Sequence, residues 1–170
     1  MAHPSNFVES QQHDSELDMN VQTTVLDDGA TSTANSPTFA ALGVHPAIVE
    51  ALAEKGIEHT FAIQELTLPL AMAGQDLIGQ ARTGMGKTYG FGVPLLHRLV
   101  MSPDRPLDGT PRALVVVPTR ELCLQVEEDL AQAAHTLQVQ ERTEDGDETG
   151  RVRPLSVLAV YGGTPYEPQI

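Results

Sequence analysis

The chain has no tryptophan, and aromatic residues make up only 4% of its 170 positions. Aliphatic side chains must therefore fill the core that an apolar share of 41% allows. There is a single cysteine, Cys123. It excludes an internal disulfide and gives no reason to expect a disulfide-linked partner. Set between Leu122 and Leu124, it reads as a small apolar residue. No apolar run approaches the roughly 18 residues that cross a bilayer as a helix. No basic segment followed by an apolar stretch opens the chain. Neither a membrane partner nor a secretory leader is expected, and a reducing cytoplasm is.

Positive charge is scarce as well. The net charge is −13, and no Lys or Arg precedes Lys55. A uniformly acidic surface would argue against a nucleic-acid partner, but the charge is segregated. Met1 to Thr38 holds six acids, and Glu141 to Thr149 holds five against one Arg. Those segments carry −10 of the total and leave about −3 for the rest. The remainder is nearly neutral, and charge does not name its partner.

Residues 1–37, rich in Ser, Thr, Asn, Gln and Asp without a sustained period, read as a disordered acidic tail that ligand binding can spare. Residues 38–170 read as the folded part. Pro46 suits a first helical position, with Ile48, Val49, Leu52 and Ala53 on one face and Gly56 as the stop. A second helix is expected near Ala62, bent or ended by Pro69. Asp76–Gln80 reads as a short strand, followed by a loop and a helix from Lys87 to about Met101 with a kink at Pro94. Ala113–Val117, continuously apolar and mostly β-branched, predicts a parallel strand buried on both faces. A helix over Arg120–Thr136, a charged surface insertion over 138–153 and a third strand over Leu155–Val160 complete the pattern. Strands alternating with helices predict an α/β fold with a parallel sheet.

Between the short strand and its helix lies Ala81-Arg82-Thr83-Gly84-Met85-Gly86-Lys87-Thr88. A glycine-containing loop at a helix N-terminus gathers backbone N–H groups around an anion, and the helix adds roughly half a positive charge. Lys87 would reach the terminal phosphates, and the Thr88 hydroxyl would join the shell of a Mg²⁺ ion. The reading is a nucleoside triphosphate site in a P-loop protein. A glycine-rich turn with a surface lysine is the alternative. The general pattern has glycine where this chain has Ala81. With alanine there, the loop resembles that of superfamily 2 helicases, DEAD-box RNA helicases in particular.

Three further segments carry the same resemblance. Gly56-Ile57-Glu58-His59-Thr60-Phe61-Ala62-Ile63-Gln64 is similar to the family's Q motif, here spanning 37–65. Phe39 stands 17 positions before Gly56, where the family has an aromatic residue. A carboxamide can pair with adenine N6 and N7 together, and an aromatic face can stack on the ring. Gln64 as a plain helix residue and Phe39 as an apolar anchor remain the alternatives. The family's usual aromatic and prolines are replaced by Ile57, Thr60 and Ala62. Pro118-Thr119-Arg120-Glu121-Leu122 is similar to helicase motif Ia, beyond the carboxyl end of a strand where ligands collect. A capped helix start would produce the same residues. Gly162-Gly163 resembles the paired glycines that let a backbone approach RNA, and a simple turn would use them too.

The resemblance implies a RecA-like domain that binds ATP and Mg²⁺ through Phe39, Gln64 and 81–88, with Lys87 and Thr88 as catalytic residues. It implies RNA at Pro118, Thr119, Arg120, Gly162 and Gly163. The activity implied is RNA-stimulated ATP hydrolysis with duplex unwinding. The family's Asp-Glu-Ala-Asp box, which helps hold Mg²⁺ and positions water, has no counterpart. Asp27-Asp28 lies in the tail, Glu127-Glu128-Asp129 in a helix, and Glu144-Asp145 and Asp147-Glu148 in the insertion. The chain reads as the incomplete N-terminal part of the first of two RecA-like domains, binding ATP without turnover. A non-helicase nucleotide-binding module or a DNA translocase is the other reading.

Overall fold

The computed structural model describes residues 22–25, 35–84, 86–102, 110–142 and 148–163. In chain order the elements are β1 (Gln22–Val25), α1 (Pro46–Ala53), α2 (Ala62–Met72), β2 (Leu77–Gln80), α3 (Lys87–Met101), α4 (Arg120–Ala134), β3 (Gln138–Arg142) and β4 (Glu148–Pro154).

Pro46 opens α1 as expected, and His45 caps it, its Nδ1 accepting from the Ala47 N–H at 3.3 Å. Ile48, Ala51 and Leu52 are buried, whereas Ala53 is exposed. Five residues after Ile48, Ala53 lies about 140° round the helix from it. Pro69 does not end α2, which runs on to Met72.

Pro94 is accommodated in α3 by a side chain of α2. A proline at this position leaves the carbonyl four residues back without its helical donor, and that carbonyl belongs to the buried Gly90. The Thr67 hydroxyl reaches the Gly90 oxygen at 3.3 Å while also bonding the Ile63 oxygen at 2.7 Å. Gly92, two residues before the proline, allows close approach of α4, since a Cβ there would collide with Leu130. Val93 and Leu96 of α3, Val126 and Leu130 of α4, and Ile48 and Leu52 of α1 form one apolar core. The Thr136 hydroxyl donates to the Ala47 oxygen at 2.7 Å and ties the end of α4 to α1.

The sheet departs from expectation in three ways. Four residues of the stretch read as unstructured, Gln22–Val25, form β1, which runs parallel to β2 from Gln22↔Leu77 to Val25↔Gln80. Their β-branched residues, Thr23, Thr24 and Val25, suit a strand. Ala113–Val117 and Leu155–Val160, expected as buried parallel strands, join no ladder among the described residues. Each still alternates. Val115, Val117, Leu155 and Val157 pack on the core, while Leu114 is 86% and Val116 83% exposed. Helices cover one face, and no described strand supplies the backbone partners that would make a sheet. Finally, much of 138–153 is an antiparallel hairpin, β3 with β4, irregular between Gln140 and Arg142. The Leu155 N–H donates to the Leu137 oxygen at 3.0 Å and closes its base.

Candidate functional site

β2 ends at Gln80, and the loop that follows leads into α3 at Lys87. Gly84 and Gly86 take φ values of +82° and +74°, the left-handed region where only glycine is at ease. Gly86 is also hemmed in, because a Cβ there would strike the Gln64 amide and the Phe61 ring. The Lys87 ammonium folds back on the loop, donating to the Arg82 oxygen at 2.8 Å and to the Ala81 oxygen. Lysine therefore occupies its own loop's carbonyls. Arg82, Thr83 and Gly84 are exposed, Thr88 is half-buried in the first turn of α3, and Met85 lies outside the described residues.

Gln64 is fully buried. Its Oε1 accepts from the Phe61 N–H at 2.9 Å, and its Nε2 donates to the Gly86 oxygen at 2.9 Å. The residue expected to read a base is thus bonded to the phosphate loop. Phe39, expected to stack on the base, has its side chain buried in this structure. It is 1% exposed and packs in the core with Val44, Ile48 and Leu52. The Phe61 ring lies against Gly86 and also lines a cavity of about 330 Å³ with Gly56, Ile57, Glu58 and His59. Sequence reading passed over Phe61, although its place three residues before Gln64 was a signal.

The missing prolines of this loop have a physical substitute. Thr38 bridges His59 in antiparallel fashion. Thr60, fully buried, directs its N–H (3.0 Å) and its hydroxyl (2.9 Å) to the Pro37 oxygen. His59 Nδ1 lies 2.7 Å from the Ser36 oxygen. Hydrogen bonds to 36–38 hold what a proline ring would otherwise stiffen.

Behind the loop, Tyr89 lies against α4, its hydroxyl 3.5 Å from Asp129 Oδ1. Burial pushes its phenol up to about 12, with the Asp129 charge adding to the effect, and burial likewise raises Asp129. At neutral pH the tyrosine is neutral. On α3, His97 Nδ1 accepts from the His45 N–H at 3.1 Å, and burial, followed by His45, lowers its pKa below 6.5.

Pro118, Thr119 and Arg120 are exposed where α4 begins. Thr119 is its N-cap, the hydroxyl oxygen accepting from the Leu122 N–H at 3.2 Å. The Arg120 guanidinium lies over the Tyr161 ring, 4.6 Å from its centroid. This brings the residues around 119 beside Gly162 and Gly163. Both glycines are exposed, Gly163 has φ +82°, and a Cβ on either would meet nothing within 4 Å. Tyr161 was not singled out in the sequence, although it directly precedes the glycine pair. Among the described residues no three His, Cys, Asp or Glu side chains gather to hold a metal, and no helix is long and apolar enough to cross a membrane.

Comparison with known proteins adds the family. The chain is 40% identical over 132 residues to DEAD-box ATP-dependent RNA helicase 53 of Oryza sativa, an overlap covering 77% of this chain and 19% of that protein. It is 38% identical over 137 residues to the ATP-dependent RNA helicase DeaD of Mycobacterium tuberculosis, covering 81% and 21%. It thus spans about a fifth of the length of these relatives. The structure resembles an RNA helicase of Chaetomium thermophilum crystallised with ADP, with a TM-score of 0.61, 30% identity, and 78% and 28% of the two chains covered. It also resembles a DEAD box protein of Methanococcus jannaschii, with a TM-score of 0.55, 27% identity, and 78% and 31% covered. Those neighbours carry RecA-like domains, the fold expected from the sequence. Residues 61–166, well over half of the chain, match the DEAD/DEAH box helicase profile, and the chain belongs to that family.

Proposed function

We propose that this chain supplies the ATP-binding part of an ATP-dependent RNA helicase, with residues 81–88 holding the phosphates and Gln64 the adenine. The observation that carries the reading is the bond from the Gln64 amide to the Gly86 oxygen, which joins the base-reading group to the phosphate loop. Each end of that amide has spent one bond, and each keeps one. A second N–H and a second oxygen lone pair are what the adenine edge requires. Because Gln64 is buried, its cover must shift as the base arrives.

Lys87 would exchange the Ala81 and Arg82 oxygens for phosphate, trading neutral acceptors for an anion that adds charge–charge attraction. Positive-φ Gly84 and Gly86 and the N-terminus of α3 fit a phosphate. Mg²⁺, bound with ATP, would meet the Thr88 hydroxyl and neutralise phosphate charge. Among the described residues no group of carboxylates gathers to share the ion with Thr88, and nucleotide binding is what we assign to this chain. RNA would lie along Pro118, Thr119, Arg120, Gly162 and Gly163. We assign the chain to the cytoplasm, a reducing setting in which Cys123 stays a free thiol.

Calorimetric titration with ATP and GTP tests this. ATP should bind more tightly, and Gln64→Ala should weaken both nucleotides through the lost Gly86 bond but cost ATP about 1–3 kcal/mol more than GTP. Equal affinity for the two nucleotides in the unsubstituted chain refutes the adenine assignment and favours a nucleotide-binding module of another class.

A further inference from the structure

The two segments assigned to RNA meet where Arg120 of one contacts Tyr161, a residue assigned no role so far. Arg120 opens α4, its backbone fixed by the Thr119 cap. Tyr161 comes from a different part of the chain, yet its ring lies under the Arg120 guanidinium, 4.6 Å from centroid to Cζ. One turn along α4, the Cys123 thiol approaches the Val160 oxygen at 3.9 Å. Two contacts, on adjacent residues of one segment and the same face of one helix, therefore set α4 against 160–161.

A guanidinium has five N–H donors, all in its plane, and a ring stacked on its face uses none of them. An exposed arginine without such a platform must be ordered as it binds, at a cost in rotamer freedom. A carboxylate platform would order it too, but would consume the donors and oppose a phosphate. A neutral ring does neither.

We propose that Tyr161 is a positioning residue for RNA. Its ring holds the Arg120 guanidinium by the face, beside the Gly162–Gly163 turn, leaving the N–H edge for a phosphodiester. The inference rests on the reading that this surface binds RNA, and the test separates the two. Binding of a 5′-labelled single-stranded oligouridine to the full 170-residue chain is followed by fluorescence anisotropy over a range of salt. The variants are Tyr161→Leu, Tyr161→Phe, Arg120→Ala and the Tyr161→Leu/Arg120→Ala pair.

Arg120→Ala should weaken binding and reduce the salt slope by about one phosphate contact. Tyr161→Leu should lower affinity about two- to fivefold, the scale of an exposed cation–π contact, and move the slope the same way. Tyr161→Phe keeps the ring and should bind like the unsubstituted chain. The double variant should be no weaker than Arg120→Ala alone. In the NMR spectrum, the Arg120 side-chain protons should lose a ring-current shift in Tyr161→Leu and keep it in Tyr161→Phe.

No RNA binding by the unsubstituted chain, or none lost in Arg120→Ala, overturns the RNA reading of this surface and the inference with it. Loss in Arg120→Ala but none in Tyr161→Leu overturns the inference alone. So do additive losses in the double variant, which would mean that the tyrosine acts independently of the arginine.

Discussion

Thr67→Val is a near-isosteric change that removes one hydroxyl from the contact between α2 and α3. That hydroxyl bonds the Ile63 oxygen at 2.7 Å and the Gly90 oxygen at 3.3 Å. The Gly90 oxygen depends on it because Pro94 has no N–H to offer four residues on. Leaving a buried acceptor unpaired costs about 1–3 kcal/mol. The 3.3 Å bond shares its proton with a shorter one, so the lower end applies, about 1 kcal/mol for the Gly90 share. The loss of the Ile63 bond can be cancelled by measuring Thr67→Val twice, in the native background and in Pro94→Ala. Alanine returns a backbone donor to Gly90, so Thr67→Val should be about 1 kcal/mol less harmful there. Urea unfolding of the four chains measures the coupling, and Thr67→Ser should behave like the native residue. An identical cost for Thr67→Val in both backgrounds refutes the idea that threonine stands in for the helical bond that proline removes.

Two other consequences follow from particular contacts. The His97 ring accepts from the His45 N–H, and burial, with the neighbouring His45, lowers its pKa below 6.5. Its folded form therefore resists protonation, the unfolded chain takes up more protons, and stability should fall as pH drops through 6.5 towards the folded pKa. His97→Gln should flatten that slope in urea unfolding, and an unchanged slope would assign it to other groups. Deleting residues 1–34 removes the parallel partner of β2, so amide hydrogen exchange along Leu77–Gln80 should accelerate. Unaltered exchange would mean that β1 does not protect the strand leading into the phosphate loop.

How much of the site was legible depended on how local each signal was. The phosphate loop needs particular residues at consecutive positions, so Gly84, Gly86 and Lys87 could be named from the sequence, and two of the three show their reason in positive φ. Spacing also located Gln64, but not its partner. The Gly86 oxygen lies 22 residues away, and nothing in a sequence pattern says which way an amide turns. Phe39 shows the limit of spacing from the other side. Its distance from Gly56 fits the family, but an aromatic residue that completes a core is indistinguishable, by position alone, from one that stacks on a base. With aromatics at 4% of the chain, a buried role for any one of them carries extra weight. Phe61 and Tyr161 show the cost of reading residues by type before place. Both lie beside assigned motifs, and both pack against partners 25 and 41 residues away, at Gly86 and Arg120.

The fold divides along the same line. Helix boundaries follow caps, prolines and periodicity within one segment, and α1 to α4 lie close to where those signals put them. A strand is a relation between two segments, and apolar composition gives only half of it. Ala113–Val117 has the composition of a doubly covered strand, but its Val115 and Val117 pack on the core while Leu114 and Val116 are exposed. The short β1 has a modest, partly polar composition, yet it finds a parallel partner along its whole length. Pairing therefore went to the segment with a neighbour in register, not to the one with the strongest propensity. The alternation that survives in 113–117 is the evidence that its side chains are already arranged for a sheet, one face packed on the core and the other apolar and exposed. Among the described residues the backbone edges of 113–117 meet no partner strand, and no property of its own five residues could have supplied one.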